Sequence, residues 1–249
     1  MPSITAGNGS LRERTNCKGV ISDWAAFEQT LVVCNILPKN VANILGFWKG
    51  DPKMKQDETR RMLIDGTIHV IARDGLDKAT TKQIGLETSI NEAYIYRCFA
   101  GKEDMFAKTF DALDCDLADK VMQHVAVMYM QEMDYELRCR VFFSAVWKFL
   151  LGNRDKCLTY VRYYYSPYFT KFSAESHKKR FLPIVTKFED AFKDEADVWM
   201  ILNHILNVML DFAVKVHNDQ MSKDDDYAEH VFRVIYASVK QYFRETEEC

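Results

Sequence analysis

Apolar residues recur every three or four positions through most of the chain after residue 57, which is the spacing that lines one face of an α-helix. The first such segment, 58–73, has an apolar stripe and carries its arginines elsewhere on the helix. Gly75 follows it where a helix-ending glycine is expected. We therefore predict a helix over 58–73, with a buried stripe made of Leu63, Thr67, Val70 and Ile71.

Two short helices are predicted next. Thr80 or Thr81 can cap a helix over 82–87, because a threonine hydroxyl accepts a hydrogen bond from the free N–H groups of a first turn. After a turn at 88–90, Asn91 can cap a third helix in the same way. The pattern therefore predicts two short helices joined by a tight turn.

A longer helix is predicted from Lys102 to about Met122. Its apolar stripe consists of Phe106, Phe110, Leu113, Leu117 and Val121. Its polar side is assigned to Asp104, Asp111, Asp114 and Asp119. Further helices are predicted over 134–151, 154–165, 178–193, 195–218 and 225–244. The predicted fold class is all-α, with an N-terminal three-helix helix-turn-helix domain followed by a C-terminal helical domain.

Residues 1–53 differ in composition from the rest, because they hold five of the ten glycines and three of the five prolines. No long helical period runs through them, and Met54 opens a stretch that reads like a natural protein start. We predict an extension over 1–53, a helix-turn-helix domain over 54–106 and a helical domain over 107–249. A misassigned start and a genuine N-terminal arm are both compatible with the first of these.

Charge and cysteine usage narrow the function classes. A net charge of −3 and a pI of about 6.1 mean that any contact with nucleic acid must come from a local arrangement. The seven cysteines and six histidines lack metal-ligand spacing, so we expect no metal site, no cofactor and no catalytic residue. An odd cysteine count without a disulfide pattern favours a reduced, cytoplasmic setting.

The most apolar long stretch, 199–216, is predicted to be an amphipathic helix rather than a membrane span, so no membrane partner is expected. The residues that interrupt its apolar character are Asn203, His204, Asn207, Asp211 and Lys215.

A helix-turn-helix that reads DNA needs a small residue where its helices meet and a second helix whose first turn can face base edges. Gly85 is the small residue in this chain. The apolar underside consists of Ile84, Ile90, Ile95 and Phe99. The side chains that point outward are predicted to be Glu92, Tyr94, Tyr96 and Arg97. Their carboxylate, hydroxyl and guanidinium groups suit bonds with bases and phosphates.

Residues 63–106 resemble, without a gap, the DNA-binding domain of the TetR family of bacterial transcriptional regulators. The residues that carry the resemblance are Gly75, Thr80, Thr81, Ile84, Ile90, Tyr96, Phe99, Lys102, Glu103 and Phe106. The resemblance implies a homodimer that binds a double-stranded DNA operator and responds to an unknown small-molecule effector. The DNA-binding residues that it implies are Thr81, Lys82, Asn91, Glu92, Ala93, Tyr94, Tyr96, Arg97 and Lys102.

The resemblance also implies how these residues divide their roles. Phosphate contacts are expected from Thr81, Tyr96 and Lys102, the last at a helix N-terminus where the helix dipole also favours a phosphate. Base contacts are expected from Glu92, Ala93 and Tyr94. Arg97 suits either role.

The chain departs from the family pattern at several positions. Ser89 stands where a turn glycine is usual, so it is expected to need a positive φ. Glu92 replaces a frequent lysine, Ala93 a frequent glycine, and Gly66 a helix alanine at a cost of about 1 kcal/mol. Residues 54–106 carry eight Lys and Arg against nine Asp and Glu, a net charge of −1. We therefore expect weak nonspecific DNA binding, with a few cations in each copy placed on phosphates.

Five tyrosines and two phenylalanines fall within residues 157–172. Such a stripe is more often part of a core or a dimer edge than of a ligand cavity. If it lines a cavity, the cavity lies between this segment, the helix over 134–151 and the helix from Lys102, and it favours an apolar or flat effector, a cation among them. The candidate ligand-binding residues are Phe110, Phe143, Trp147, Tyr160, Tyr164 and Phe169.

The last two predicted helices carry apolar faces that packing within one subunit is able to fill. The resemblance implies instead that they form a four-helix bundle in a two-fold dimer. The candidate dimer residues are Ile201, Ile205, Val208, Phe212, Val231, Ile235 and Tyr242. The basic run at 177–180 is interpreted as a solvated helix start.

These observations favour a non-enzymatic transcriptional regulator, a repressor, that binds a palindromic operator as a dimer. An effector in the C-terminal domain would move the helix from Lys102 and change the separation of two DNA-reading helices about 34 Å apart. Two alternatives stay open. The first is a helical small-molecule-binding enzyme, although the sequence contains no nucleophile–base pair or phosphate loop that supports it. The second is a DNA-independent interaction protein, which fits the acidic balance of residues 54–106.

Overall fold

The computed structural model describes residues 52–244, with side chains from residue 56 onward. Within that range the fold is all-α, as predicted, and its one β-bridge joins Phe192 to Phe243. The predicted extension over 1–53 lies outside the described residues except for its last two, which belong to the first helix. The helices are α1 Pro52–Asp74, α2 Thr81–Thr88, α3 Ile95–Cys98, α4 Lys102–His124, α5 Tyr135–Gly152, α6 Arg154–Tyr164, α7 Pro167–Phe172, α8 Ala174–Phe188, α9 Val198–His217 and α10 Asp225–Val239.

The helix boundaries agree best with the prediction where a cap residue marks them. Asp134 accepts a hydrogen bond from the Leu137 N–H at 2.8 Å and so starts α5 close to the predicted position. The stretch 166–173, which lies between two of the predicted helices, contains the short helix α7. Its proline is at the first helical position, where a missing N–H costs nothing.

The N-terminal helices share one small core. Gly75 ends α1 with a φ of +88°, as predicted for a helix-ending glycine. Gly66, in the middle of α1, lies against the end of α2, because a Cβ on Gly66 would be 2.1 Å from Thr88 Cγ2. The glycine at this helix position therefore permits a close approach between α1 and α2. The buried residues of this core include Leu63, Ile71, Ile84, Ile95, Phe99 and Phe106.

The C-terminal helices form a bundle in which α4, α5, α6, α8, α9 and α10 pack together. Burial of their apolar stripes supplies its main stabilisation. Its buried residues include Leu113, Leu117, Val146, Leu150, Leu210, Ala213 and Phe232.

Helix α6 connects this bundle to α1. The Thr159 hydroxyl donates to the Ile68 carbonyl at 2.9 Å, and the Arg162 guanidinium donates to the Ile71 carbonyl. His69 of α1 also lies 2.9 Å from an Asp155 oxygen. We call these three contacts the α1–α6 joint. They fix α1 on the bundle by bonds to its backbone as well as by packing.

Among the described residues, helix α9 is long and apolar enough to cross a membrane by length and composition alone, and 28% of its most apolar stretch is buried. The sequence prediction treats it as an amphipathic helix because polar residues interrupt it. Met200 on this helix is 55% exposed, and Val234 on α10 is 57% exposed. The two last helices therefore carry apolar surface that their own subunit leaves uncovered.

Candidate nucleic-acid interface and ligand site

Helix α2 begins with a reciprocal cap. The Thr80 hydroxyl accepts from the Gln83 N–H at 3.2 Å, and the Gln83 side-chain oxygen accepts from the Thr80 N–H at 3.0 Å. Of the two predicted cap residues, Thr80 is therefore the one that caps. This leaves Thr81 at the first helical position, with its hydroxyl free to make other contacts.

The turn after α2 needs a glycine at position 85 and a left-handed backbone at position 89. A Cβ on Gly85 would be 2.8 Å from the Ile90 carbonyl oxygen, a distance that real Cβ atoms do not adopt. The Ile90 N–H donates to the Gly85 carbonyl at 3.0 Å and closes the turn. Ser89 has a φ of +55°, which confirms the predicted left-handed conformation at the position of the usual turn glycine.

Residues 91–98, the reading segment, begin as a 3₁₀ turn and continue as α3. The Asn91 side chain accepts from the Ala93 N–H at 2.9 Å, so it caps the segment as predicted. Ile95 is fully buried beneath the segment, whereas Tyr94 is 45% and Tyr96 61% exposed. Asn91, Glu92, Ala93 and Arg97 are exposed as well. The reading segment therefore presents its polar side chains to solvent and keeps its apolar ones inside.

Three cations near the reading segment have no ion-pair partner within residues 56–244: Lys82, Arg97 and Lys102. The Arg97 guanidinium lies 4.9 Å from the centre of the Tyr94 ring, and the Lys102 ammonium lies 5.1 Å from that of Phe106. Cation–π contacts hold these groups in place without neutralising their charge. Their charges are therefore available to an incoming phosphate.

The acidic residues of this region differ in what they contact. Glu87 pairs with Arg73 at 2.8 Å, and Asp74 pairs with the same guanidinium at 3.0 Å. Glu92 instead accepts a hydrogen bond from the Thr81 hydroxyl. The Thr81 hydroxyl, which the resemblance assigns to a phosphate contact, is thus already bonded to the Glu92 carboxylate. To contact a phosphate, Thr81 would have to break this bond with Glu92.

Four of the six candidate ligand-binding residues meet in one aromatic cluster: Phe110, Tyr160, Tyr164 and Phe169. The Phe110 ring lies 5.0 Å from Tyr160 and 5.5 Å from Phe169, and Tyr164 lies 4.5 Å from Phe169. Phe110 and Tyr160 are 1% and 3% exposed. The cluster is therefore closely packed and belongs to the core of the bundle rather than to an open ligand cavity.

The other two candidates, Phe143 and Trp147, lie apart from this cluster. Their rings stack at 5.7 Å beside an open cleft of about 570 Å³ between α5 and α10. Phe232 forms part of the same cleft, and the ion pair between Arg140 and Glu229 stands at its edge.

Asp114 corrects the predicted polar side of α4, because its side chain is fully buried. The Tyr160 hydroxyl donates to Asp114 Oδ1 at 3.0 Å, and His177 Nδ1 lies 2.9 Å from the same oxygen. Arg180 donates to Asp114 Oδ2 and also to Asp111. Burial, and next the Asp114 carboxylate, raise the pKa of the Tyr160 phenol well above its usual range, so the phenol stays protonated and donates.

The same contacts correct the interpretation of residues 177–180 as a solvated helix start. His177 is 3% exposed and Arg180 is half-buried, and both belong to the Asp114 network. Lys178 and Lys179 remain on the solvent side. A signal for Asp114 was present in the sequence, because residues 110, 113, 114 and 117 have the spacing of a single helix face.

Two small cavities lie beside this network. The first, of about 60 Å³, is lined by His177, Phe181, Trp199, Asn203 and other, apolar side chains. The second, of about 80 Å³, shares five of its lining residues with the first and reaches Tyr135 and Tyr236. Both cavities were missed by sequence reasoning, because the predicted cavity involves α6, whereas the first is lined by α4, α5, α8 and α9 and the second by α5, α8, α9 and α10.

The candidate dimer residues fall into two groups. Ile201, Val231 and Ile235 are at most 5% exposed and belong to the core of their own subunit, so they cannot face a second copy unless that core opens. Ile205, Val208, Phe212 and Tyr242 are half-buried.

Comparison with known proteins bears on the N-terminal helices first. Residues 63–109 match the sequence model described as bacterial regulatory proteins, tetR family. Over these residues the chain is similar to the TetR family. The matched range contains all the candidate DNA-binding residues and the whole of the exposed reading segment.

Solved structures extend the likeness to the TetR fold of the whole described region. A TetR family transcription regulator from Marinobacter aquaeolei VT8 has 12% identity and a TM-score of 0.63, covering 78% of this chain and 100% of that one. The fatty acid degradation regulator FadR from Bacillus halodurans has 17% identity and a TM-score of 0.55, covering 75% and 96%. FadR from Bacillus subtilis, in complex with stearoyl-CoA, has 17% identity and a TM-score of 0.55, covering 70% of this chain and 96% of that one. No curated protein sequence matches this chain.

Proposed function

We propose that this chain is a cytoplasmic, homodimeric transcriptional repressor that binds a palindromic operator and releases it when a small molecule binds the helical bundle. Residues 54–106 act as the DNA-binding domain and residues 107–249 as the effector-binding and dimerisation domain. The protein acts by binding and catalyses no reaction.

One observation carries the DNA-binding part of the proposal. Tyr94, Tyr96 and Arg97 are exposed over a buried Ile95, on a segment that Gly85 and its turn hold outward. Phosphates are bound by Thr81, Lys82, Tyr96 and Lys102, and bases are met by Asn91, Glu92, Ala93 and Tyr94. Arg97 reaches a base or a phosphate according to the operator.

The dimer part of the proposal is supported by the uncovered surface of α9 and α10. Met200 and Val234 are more than half exposed, and the candidate dimer residues that are half-buried, Ile205, Val208 and Phe212, lie on the same helices. A second copy related by two-fold symmetry would cover this apolar surface. No membrane is then needed to cover it.

Two paths lead from the bundle to the DNA-binding domain. Helix α4 carries Lys102 at its start and Asp114 in its buried half. Helix α6 carries Tyr160 toward the Asp114 network and Thr159 toward α1. An effector that displaces either helix changes the spacing of the two reading segments, a coupling typically of about 1–3 kcal/mol. Small-molecule binding by a protein of this fold has a precedent in the stearoyl-CoA complex of Bacillus subtilis FadR.

The proposal is tested by selecting bound sequences from random duplex DNA and titrating the selected duplex with variants. Tyr96→Phe removes one phosphate hydrogen bond, so we expect binding about five- to tenfold weaker. Lys102→Ala removes one cation from each subunit of the dimer, so the slope of log affinity against log salt becomes shallower by about 2.

Matched controls lie in the bundle, where Tyr165 is 66% exposed and the side chain of Lys179 is 75% exposed. Tyr165→Phe and Lys179→Ala are expected to leave DNA binding unchanged. If Tyr96→Phe and Lys102→Ala bind the selected duplex as tightly as these controls do, the DNA-binding assignment is wrong. If no sequence is selected at all, the regulator proposal fails as a whole.

A further inference from the structure

The larger of the two cavities in the bundle is lined by a tyrosine whose hydroxyl has no hydrogen-bond partner. Within the described residues, Tyr135 Oη is the buried side-chain oxygen that is left without one. Tyr135 starts α5 and lines the cavity of about 80 Å³. A buried hydroxyl without a partner costs free energy, and a bound molecule that supplies the partner recovers that cost.

Water alone is a poor occupant of this cavity. An ordered buried water makes about two to four hydrogen bonds to polar groups. Besides Tyr135, the polar side chains of the lining are Cys139, one helical turn further along α5, and Tyr236 of α10. A thiol bonds only weakly, and the other lining side chains are aliphatic, aromatic or thioether groups. The cavity therefore suits an organic molecule with one polar group better than it suits water.

All three polar side chains of the lining carry their protons near neutral pH. Burial raises the pKa of the Tyr135 phenol above its usual range, and the nearby Cys139 and Tyr236 raise that pKa further. Burial also raises the pKa of the Cys139 thiol to about 12 and the pKa of the Tyr236 phenol above its ordinary value. Each group therefore has a hydrogen to donate, and the lining contains no carboxylate or amide side chain that accepts it.

This excess of donors decides the polar group of the ligand. A phenol both donates and accepts hydrogen bonds, so it is able to contact a hydroxyl, an amine or a carbonyl. A ligand that only donates would leave the Tyr135 proton unpaired. A carbonyl oxygen accepts from the phenol and brings no further donor into the cavity. The lining therefore favours a carbonyl group.

The lining of this cavity carries no charge. Within the described residues it includes no Asp, Glu, Lys, Arg or His side chain. Arg138 lies outside the lining, and its guanidinium donates to the backbone carbonyls of Met133 at 2.7 Å and Met128 at 3.3 Å. An ion that entered the cavity would lose its hydration without gaining contact with an opposite charge. An uncharged ligand is therefore favoured.

The walls limit the ligand to a few atoms. Phenylalanine rings make up much of the wall, and the Phe243 ring packs 4.6 Å from the Tyr135 ring and 5.1 Å from the Phe192 ring. The β-bridge between Phe192 and Phe243 fixes this part of the wall. Because a dry cavity of about 150 Å³ admits a benzene ring, this smaller one admits roughly three to five non-hydrogen atoms.

We propose that this cavity binds a small, uncharged carbonyl compound, of the ketone class, whose oxygen accepts a hydrogen bond from the Tyr135 hydroxyl. The carbon atoms of the ligand lie against the phenylalanine walls. The inference rests on the proposed function in one respect, namely that this molecule would be the effector. Binding itself is a property of the free protein.

The test uses the full-length protein without DNA, near neutral pH, and four probes of similar size. These are butanone, 2-methyl-1-butene, propanoate and sec-butylamine, of which the last two are ions at this pH. Molecules of this size bind no more tightly than about a few micromolar, so binding is followed by ligand-observed NMR. We expect both ions to bind more weakly than butanone. Tighter binding of either ion would overturn the assignment of an uncharged ligand.

Tyr135→Phe keeps the ring and removes the hydroxyl, so it separates the hydrogen bond from the apolar contacts. We expect butanone to bind this variant about three- to tenfold more weakly than the natural protein. The alkene 2-methyl-1-butene has the same shape without the oxygen, and it should bind the variant at least as tightly as before. Each probe is compared with itself, because the two differ in hydrophobicity.

The control for binding is Tyr163→Phe, at a tyrosine outside the lining, which should leave both affinities unchanged. An equal change for butanone and the alkene in Tyr135→Phe, or no change for butanone, would mean that the Tyr135 hydroxyl does not hold the ligand and that the proposal is wrong.

Thermal unfolding without ligand gives a second readout. The Tyr163 hydroxyl lies 3.0 Å from Ser173 Oγ, so Tyr163→Phe breaks a hydrogen bond and is expected to lower the melting temperature. Tyr135→Phe removes an atom without a partner in the described residues and should leave the melting temperature unchanged or higher. If Tyr135→Phe lowers it as much as Tyr163→Phe does, the phenol is already bonded in the free protein and the proposal fails. Because no DNA is present, failure here leaves the operator proposal standing, and failure of operator selection leaves this one standing.

Discussion

The DNA-binding domain and the helical bundle use their polar side chains in opposite ways. In the domain, the polar residues of the reading segment face water above a small apolar core, and Arg97 and Lys102 keep their charges unpaired within residues 56–244. In the bundle, Asp114 and His177 are enclosed by aromatic rings and bonded to one another. The polar groups thus lie on the surface in one region and inside the core in the other.

The difference has a thermodynamic consequence. Exposed polar groups contribute little to stability, so those of the reading segment are free to vary with the operator. Buried and mutually bonded groups are costly to remove singly, because each leaves its partner unsatisfied in an apolar environment. Substitutions in the bundle are therefore expected to affect folding, and those on the reading segment binding alone.

The largest effect is expected from Asp114→Ala. The change leaves Tyr160 and His177 without their acceptor and Arg180 with Asp111 as its remaining partner. We expect a loss of about 3–5 kcal/mol in the free energy of unfolding, measured in urea. Asp119→Ala, at an exposed position of the same helix, is the control and should change it by less than about 0.5 kcal/mol. Similar losses in the two variants would contradict the view that the bundle depends on its buried carboxylate.

The next largest effect is expected from Gly85→Ala, at the turn that precedes the reading segment. Gly85→Ala places a Cβ 2.8 Å from the Ile90 carbonyl, and the turn backbone has to shift to relieve the clash. We expect about 1–3 kcal/mol lower stability together with loss of operator binding. The control Gly152→Ala adds a Cβ that meets nothing within 4 Å and should be neutral. A Gly85→Ala protein that still binds the operator normally would mean that the turn does not set the position of the reading segment.

A double-mutant cycle between α1 and α2 is expected to give a smaller effect. Gly66→Ala alone should destabilise the protein by about 1–2 kcal/mol, because the new Cβ would overlap Thr88 Cγ2. Thr88→Ser removes that methyl group and keeps the hydroxyl that bonds to the Ile84 carbonyl. In the Thr88→Ser background Gly66→Ala should instead stabilise the helix by about 1 kcal/mol. Additive effects of the two changes, measured by thermal unfolding, would rule out this contact as the reason for the glycine.

The smallest effect concerns Glu92. Glu92→Gln removes a negative charge from beside the Thr81 hydroxyl, so a phosphate no longer competes with a carboxylate there. We expect operator affinity to rise several-fold, about 0.5–1 kcal/mol, with unchanged stability. Glu195→Gln, which is exposed in the bundle, serves as the control for net charge. A fall in affinity would indicate that the base contact proposed for Glu92 contributes more to binding than its hindrance of the phosphate at Thr81 costs.

Features set by neighbouring residues were predictable from the sequence. The caps at Thr80 and Asn91, the left-handed Ser89 and the close contact at Gly85 all depend on groups within a few positions of one another. The exposed reading segment follows from these local constraints. Its DNA contacts stay a prediction.

Features set by distant residues were not predictable in the same way. Asp114 falls within the apolar stripe of α4, but its burial depends on Arg180 and His177, more than sixty positions away. From the sequence alone, Gly66 is only a residue that weakens a helix, and its packing against Thr88 is visible only in the structure. The separation of Phe143 and Trp147 from Phe110 likewise depends on how α5 packs, which periodicity alone does not fix.

The α1–α6 joint gives the molecule a mechanical constraint. The DNA-binding domain is attached to the bundle twice, once through the chain at α4 and once through the bonds of Thr159 and Arg162 to the backbone of α1. A body on a single hinge swings freely, whereas one fastened at two separated points turns only when both fastenings travel together. Displacement of α6 by even a fraction of a helical turn would therefore pull α1 with it, and a rigid linkage of this kind transmits movement without a flexible connector.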